Sequence, residues 1–313
     1  VIEHVHREYL AAGADIICTN TFGGTPVVLN EYDLGAQAHD INFRAAQLAK
    51  ICADEFSTSD WPRFVAGAIG PTTKTLSVTG GITFDELTND FYVQAKALVE
   101  GGVDVILLET SQDMLNVKAA TIGIQQAFTE LKIELPIMIS GTIEPMGTTL
   151  AGQSIEAFYI SIEHIKPLSV GLNCATGPEF MTDHIRSLSE LSDGYVSCYP
   201  NAGLPDEEGH YHESPESLSK KLRGFAEKGW LNVVGGCCGT TPAHIRAVRE
   251  AVKDLSPRKP VEAGHGHVVS GIEPLQYDET MRPLFIGERT NVIGSRKFKR
   301  LIVDEKFEEA SEI

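Results

Sequence analysis

Seven short apolar runs punctuate the chain, at residues 15–19, 64–68, 103–109, 136–141, 169–173, 195–199 and 232–236, and each is followed by residues with helical spacing of their apolar positions. None of the runs alternates apolar with polar residues, as a strand with one wet face would, so each reads as a strand buried on both sides. Such strands, alternating with amphipathic helices over 35–56, 84–100, 113–130, 154–164, 178–191, 215–228 and 242–252, imply a parallel sheet covered by helices. Ala12-Gly13-Ala14-Asp15, Gly101-Gly102-Val103-Asp104 and Lys228-Gly229-Trp230-Leu231-Asn232 repeat one grammar, in which a helix ends at glycine and a buried strand follows after a small turn. The first helix, over 1–14, has no strand before it. The expected fold is therefore α/β, a (β/α)8 TIM barrel whose first strand is missing from the chain. A doubly wound open sheet is the alternative, but no Gly-x-Gly-x-x-Gly follows any strand, and polar residues follow nearly all of them, as at the catalytic mouth of a barrel.

The 313 residues carry a net charge of −17, and lysine and arginine gather only in the short tail 296–300. That balance argues against nucleic acid or an anionic membrane surface as a partner. No run approaches the roughly 18 apolar residues of a membrane span, and no signal peptide is visible, so a cytoplasmic location is expected. Six cysteines spread over this length suggest reduced thiols in metal or catalytic use rather than disulfides.

The residues at the strand ends are Asn20 and Thr21; Gly70 and Pro71; Glu109 and Thr110; Ser140 and Thr142; Asn173 and Cys174; Tyr199, Pro200 and Asn201; and Cys237 and Cys238. In a barrel these converge on one mouth. Cys237 and Cys238 sit in Val233-Val234-Gly235-Gly236-Cys237-Cys238-Gly239-Thr240-Thr241-Pro242, a strand running straight into a helix with Thr241 as N-cap and Pro242 in its first turn. The helix N-terminus lowers the cost of negative charge on the thiols. Cys18 and Cys198 within strands, and Cys52 on an apolar helix face, read as core packing. Cys174, Cys237 and Cys238 come from alternate strands and can share one layer, and three sulfurs with no fourth cysteine suit a catalytic zinc with an open position. Structural zinc, a redox dithiol and buried thiols are the other readings. Three thiolates leave zinc with a formal charge of −1, a poor setting for hydrolysis but a good one for keeping an added thiol deprotonated and nucleophilic, which points to thiol alkylation.

At this point the residues resemble a known family. Gly171-Leu172-Asn173-Cys174 and Gly235-Gly236-Cys237-Cys238-Gly239-Thr240, with Ala11, Gly13-Ala14-Asp15, Thr19-Asn20-Thr21-Phe22 and Leu108-Glu109-Thr110, are similar to the zinc- and homocysteine-binding barrel of the homocysteine S-methyltransferases over roughly residues 1–255. The tail, Gly271-Ile272-Glu273-Pro274-Leu275 followed by Phe285-Ile286-Gly287-Glu288-Arg289-Thr290-Asn291-Val292-Ile293-Gly294-Ser295, resembles the linker and first strand of the pterin-binding barrel of cobalamin-dependent methionine synthases.

The resemblance implies a methyltransferase in which Cys174, Cys237 and Cys238 hold zinc and homocysteine binds through its sulfur. The sulfur then takes the methyl group of methylcobalamin, itself supplied by methyltetrahydrofolate, to give methionine. Glu109 would hold the substrate ammonium, Asn201 would take the fourth zinc position when substrate is absent, and Asn20, Ser140 and Asn173 would line the pocket. Betaine- or S-methylmethionine-dependent methyl transfer and a non-catalytic zinc-stabilised domain are the alternatives. The family's Asp-Gly-Ala-Met-Gly-Thr first strand has no match here. The implied organisation is a homocysteine- and zinc-binding barrel over 1–255, a linker over 256–282 containing the solvated pair His265 and His267, and over 283–313 the start of a pterin-binding domain opening with a strand at 283–287. The cobalamin and complete folate modules would be supplied by the rest of the full-length enzyme.

Overall fold

Along each strand of the computed structural model, odd and even residues turn to different layers, and that parity places the functional groups. The structure describes residues 1–262, 266–284 and 291–313. In chain order the first compact unit, Val1–Leu275, holds α1 (Ile2–Ala12), β1 (Ile16–Cys18), the short α2 (Pro26–Leu29), α3 (Ala38–Phe56), β2 (Phe64–Ile69) and α4 (Phe84–Glu100). It continues through β3 (Val105–Ser111), α5 (Met114–Leu131), β4 (Ile137–Gly141), α6 (Ile155–Ile162), β5 (Ser169–Asn173), α7 (Thr182–Leu191), β6 (Tyr195–Tyr199), α8 (Pro215–Glu227), β7 (Val233–Val234), α9 (Pro242–Val252) and β8 (His267–Ser270). The seven strands β1 to β7 pair in sequence order, every pair parallel. This is a curled half-barrel of TIM type, and among the described residues β1 and β7 do not pair with each other.

Ile106 and Leu108 of β3, Ile139 of β4, Val170 and Leu172 of β5, and Val196 and Cys198 of β6 face the helices and form the large core. Each such side chain, once fully buried, contributes about 1.5–3 kcal/mol. The other parity faces the barrel axis. Ala66, Val105, Leu107 and Met138 form a small inner cluster flanked by Ile16 and Val233. One step of two residues further along the strands, the same parity brings Cys18, Glu109, Ser140, Asn173 and Tyr199, so a polar layer lies directly above an apolar one.

Helix starts follow from local chemistry. At α4, Thr83 and Glu86 form a reciprocal capping box, with Thr83 N–H donating to Glu86 Oε2 at 2.9 Å. Asp113 caps α5 by accepting from Leu115 N–H at 2.9 Å, and it also accepts from Ser77 N–H at 2.7 Å. The helix layer spans the gap between β1 and β7. Tyr9 of α1 donates its hydroxyl to Thr240 O at 2.8 Å, and the guanidinium groups of Arg63 and Arg249 lie over the Trp61 ring at 3.3 and 4.5 Å.

Cys52 and Cys198 are fully buried, as expected of core residues, but Cys18 is exposed. Its parity in β1 directs it to the barrel axis rather than to the helix layer that covers Ile17, and it borders the unpaired side of the sheet. The segment after α9 is also more tightly bound than a linker. Arg258 is 4% exposed, and its guanidinium donates to Ser189 O, Gly194 O and Ser192 O, while Ser270 Oγ donates to Ala157 O of α6 at 2.7 Å. His267 opens β8, and His265 lies outside the described residues.

The second unit, Gln276–Ile313, contains α10 (Arg296–Val303) and α11 (Phe307–Ser311), which share a small cluster of Phe298, Leu301 and Ala310. Most of the strand expected over 283–287 lies outside the described residues, as does the Glu288-Arg289-Thr290 stretch.

Candidate metal and substrate site

Three loops at the C-terminal ends of β5, β6 and β7 build the site. After Asn173 the chain turns sharply, with Cys174 at φ 62 and Ala175 at φ 53, left-handed conformations that cost a non-glycine residue about 1 kcal/mol or more each. Thr110, directly after Glu109, has φ 55. Strain of this kind persists only where neighbours hold it, and here the neighbours are known. Asn173 is fully buried; its Oδ1 accepts from Thr110 N–H at 3.0 Å and lies 2.7 Å from Ser140 Oγ, while its Nδ2 donates to Thr110 Oγ1 at 2.7 Å. Thr142 Oγ1 donates to Asn173 O at 2.9 Å.

The Pro200-Asn201-Ala202 segment laces the other two loops together. Asn201 N–H donates to Thr176 O at 3.3 Å, Cys237 N–H to Pro200 O at 2.8 Å, and Ala202 N–H to Cys238 O at 2.9 Å. Asn201, 3% exposed, accepts Cys238 N–H on Oδ1 at 3.1 Å. Pro242 lies in the first turn of α9 as expected, and Thr241 N–H donates to His244 Nδ1 at 3.1 Å.

The result is a sulfur cluster. Cys174 Sγ lies 3.8 Å from Cys238 Sγ, Cys237 Sγ lies 3.9 Å from Cys238 Sγ, and all three sulfurs fall within 4.8 Å of one another. Zinc–sulfur bonds of about 2.3 Å at tetrahedral angles set neighbouring sulfurs about 3.8 Å apart, so the spacing fits a zinc ion. Vicinal Cys237 and Cys238 are free thiols, as is Cys174. Cys238 is held far below the usual thiol range by its hydrogen bonds with Cys174 and Cys237, and Cys237 is pushed far up by its contacts with Cys174 and Cys238.

Glu109 reaches the same space from β3. Burial pushes its carboxyl up to about 7, and the negative Cys238 adds to the shift. A half-buried carboxylate facing further negative charge calls for a cation. The hydroxyl of Tyr199, in register with Asn173 on the adjacent strand, is buried with no hydrogen-bond partner among the described residues. Asn20 stands beyond the end of β1, exposed. The structure thus brings together Cys174, Cys237, Cys238, Asn173, Ser140 and Asn201, with Glu109 in electrostatic reach, and leaves Asn20 at the rim. Tyr211, in the loop after β6, lies with its ring on Gly239, the residue after the cysteine pair. No spacing signal marks it, since it stands twelve residues beyond its strand.

Among solved structures, the chain is similar to the homocysteine methyltransferase MmuM from Escherichia coli. The metallated form aligns with a TM-score of 0.66 at 20% identity, covering 79% of this chain and 83% of that one. The oxidized form aligns with a TM-score of 0.65 at 20% identity over 80% and 83%, and the apo form at 0.61 and 20% over 80% and 84%. At this identity the likeness speaks to the fold. Residues 1–252 match the family described as homocysteine S-methyltransferase, and by that match over most of its length the chain belongs to the homocysteine S-methyltransferase family.

Proposed function

We propose that this chain is the homocysteine-activating part of a cobalamin-dependent methionine synthase, binding zinc through Cys174, Cys237 and Cys238. The observation that carries the reading is the sulfur trio, two of whose edges, 3.8 and 3.9 Å, match a zinc tetrahedron and all of whose sulfurs lie within 4.8 Å, drawn from two loops 63 residues apart in sequence, counting from Cys174 to Cys237. Zinc held there would supply one thing, a substrate sulfur that stays deprotonated and nucleophilic at neutral pH.

The chain's own residues supply the rest. Glu109 takes the substrate ammonium, whose positive charge restores the ionised carboxylate that burial disfavours. Asn173 fixes Cys237 and the turn after Glu109 together, so that the amino and sulfur ends of homocysteine are held in one frame. Ser140 fixes the Asn173 amide. Asn201 positions the Cys238 amide and is the side chain nearest in role to a resting fourth ligand; Asn20 lines the rim. Methylcobalamin, carried by a separate module, would supply the methyl group to the substrate sulfur held between Glu109 and the cysteine trio, the thiol proton passing to solvent. The gap between β1 and β7 is where the eighth barrel strand would stand. The continuation past residue 256 favours the cobalamin-dependent assignment over a single-barrel enzyme using betaine or S-methylmethionine, and 283–313 would begin the pterin-binding domain. Methionine formation from homocysteine with methylcobalamin, betaine or S-methylmethionine as donor tests it: turnover with methylcobalamin that is lost in Cys238→Ala supports the reading, and turnover with a small donor alone overturns the cobalamin assignment.

A further inference from the structure

The Tyr199 hydroxyl is buried and has no hydrogen-bond partner among the described residues. A buried polar group without a partner is costly and rare, and in a native protein it calls for something bound to complete it. Its place in the fold says where that partner sits. Val196 and Cys198 of β6 pack into the core under the helices, so the alternation along the strand turns Tyr199, its last residue, to the barrel axis. Tyr199 stands in register with Asn173 of β5, in the layer that also carries Glu109 and Ser140, at the mouth where the sulfur trio lies.

The polar groups beside it are already engaged. Asn173 Oδ1 accepts from Thr110 N–H at 3.0 Å and lies 2.7 Å from Ser140 Oγ, while its Nδ2 donates to Thr110 Oγ1 at 2.7 Å. Asn201, two residues on, accepts the Cys238 N–H on Oδ1 at 3.1 Å. On the β7 side the neighbour is Gly235, where a Cβ would lie 3.4 Å from Tyr199 Cβ, and which brings no polar side chain. The missing partner is therefore a group of the substrate. Homocysteine has three polar groups. Its sulfur goes to the cysteine trio and its ammonium to Glu109, which leaves the carboxylate as the one acceptor without a donor. No Lys, Arg or His stands among the strand-end residues that build the mouth, so no cation is there to take it. An uncharged donor also suits a place near Glu109, since a cation would pair with that carboxyl and compete with the substrate ammonium.

We propose that Tyr199 recognises the carboxylate of the substrate by donating its hydroxyl to it, and so makes the site selective for an amino-acid thiol over a simple aminothiol. The inference rests on the homocysteine reading above.

The test is calorimetric titration of the zinc-loaded full chain, its zinc content measured first, with three thiols: homocysteine, aminopropanethiol, which is homocysteine without its carboxylate, and mercaptobutyrate, which is homocysteine without its amino group. Tyr199→Phe keeps the ring and removes only the hydroxyl. It should weaken homocysteine and mercaptobutyrate about tenfold each, the ordinary loss of a hydrogen bond to a charged group, and leave aminopropanethiol unchanged. Without a thiol present the variant should melt at or above the wild-type temperature, because the hydroxyl it removes has no partner in the chain. Homocysteine bound equally by variant and wild type, or aminopropanethiol weakened as much as homocysteine, overturns the inference and leaves the homocysteine reading standing. A variant that melts below wild type without a thiol would show the hydroxyl already partnered, and overturns the inference in the same way. Wild-type chain that binds no homocysteine overturns both.

Discussion

The side-chain amide of Asn173 donates to Cys237 Sγ at 3.9 Å while holding the residue after Glu109, so one buried group ties the sulfur cluster to the carboxylate at the other side of the barrel mouth. Asn173→Ala leaves Ser140 and Thr110 without their buried partner. A loss of about 2–4 kcal/mol in urea unfolding is expected, from two or more unsatisfied groups at about 1–3 kcal/mol each. Zinc affinity should fall about tenfold or more, the usual cost of removing a group that orients a ligand. Competition with a chromophoric chelator measures it, and unchanged affinity contradicts the role.

Glu109 gives the fold a pH dependence of defined sign. Its carboxyl rises from the ordinary 4.5 to about 7 in the folded protein. Stability from the neutral carboxyl is therefore fully present below about pH 4.5 and is lost as pH rises through 7, on the order of 2 kcal/mol after solvent screening. Glu109→Gln should unfold at a higher temperature than wild type at pH 8 and at the same temperature at pH 4, while losing homocysteine binding. Equal melting temperatures at both pH values would show that the carboxyl is not desolvated.

Gly171 lies at a close approach of β5 to β6. A Cβ there would come within 2.1 Å of Ser197 O, a backbone atom that cannot swing away. Gly171→Ala should push β5 off β6 and displace Cys174, three residues on, reducing both folded yield and zinc stoichiometry. A normally folded variant with one zinc per chain would contradict the register on which the site depends.

Arg258 should behave differently from all of these. Its guanidinium caps the last carbonyls of α7 and the following turn from a buried position. Arg258→Ala should cost about 2–4 kcal/mol through those lost charge-assisted bonds, and zinc content should not change. Calorimetry and metal analysis together check it.

The strands and their ends were legible in the sequence because apolar runs without alternation leave few folds open, and because parity then dictates which end residues face the axis. The cysteine trio followed from that geometry. Other features were not legible. Cys18 sits in an apolar run like that of Cys198, but it turns to the barrel axis beside the unpaired edge of β1, whereas Cys198 packs under the helices. The proline and glycine content after residue 256 reads as linker, yet one arginine with three carbonyl partners fastens that segment to the barrel. Tyr211 comes to lie on Gly239, beside the cysteine pair, through a loop whose shape depends on Asp206, which no spacing rule encodes.

Zinc-edge X-ray absorption, recorded with and without homocysteine, tests the central claim most directly. The account predicts one zinc per chain bound by three sulfurs at about 2.3 Å and a fourth sulfur at the same distance once homocysteine is added. A sulfur count that stays fixed on adding homocysteine would contradict it, and would leave the metal with a role in the fold alone.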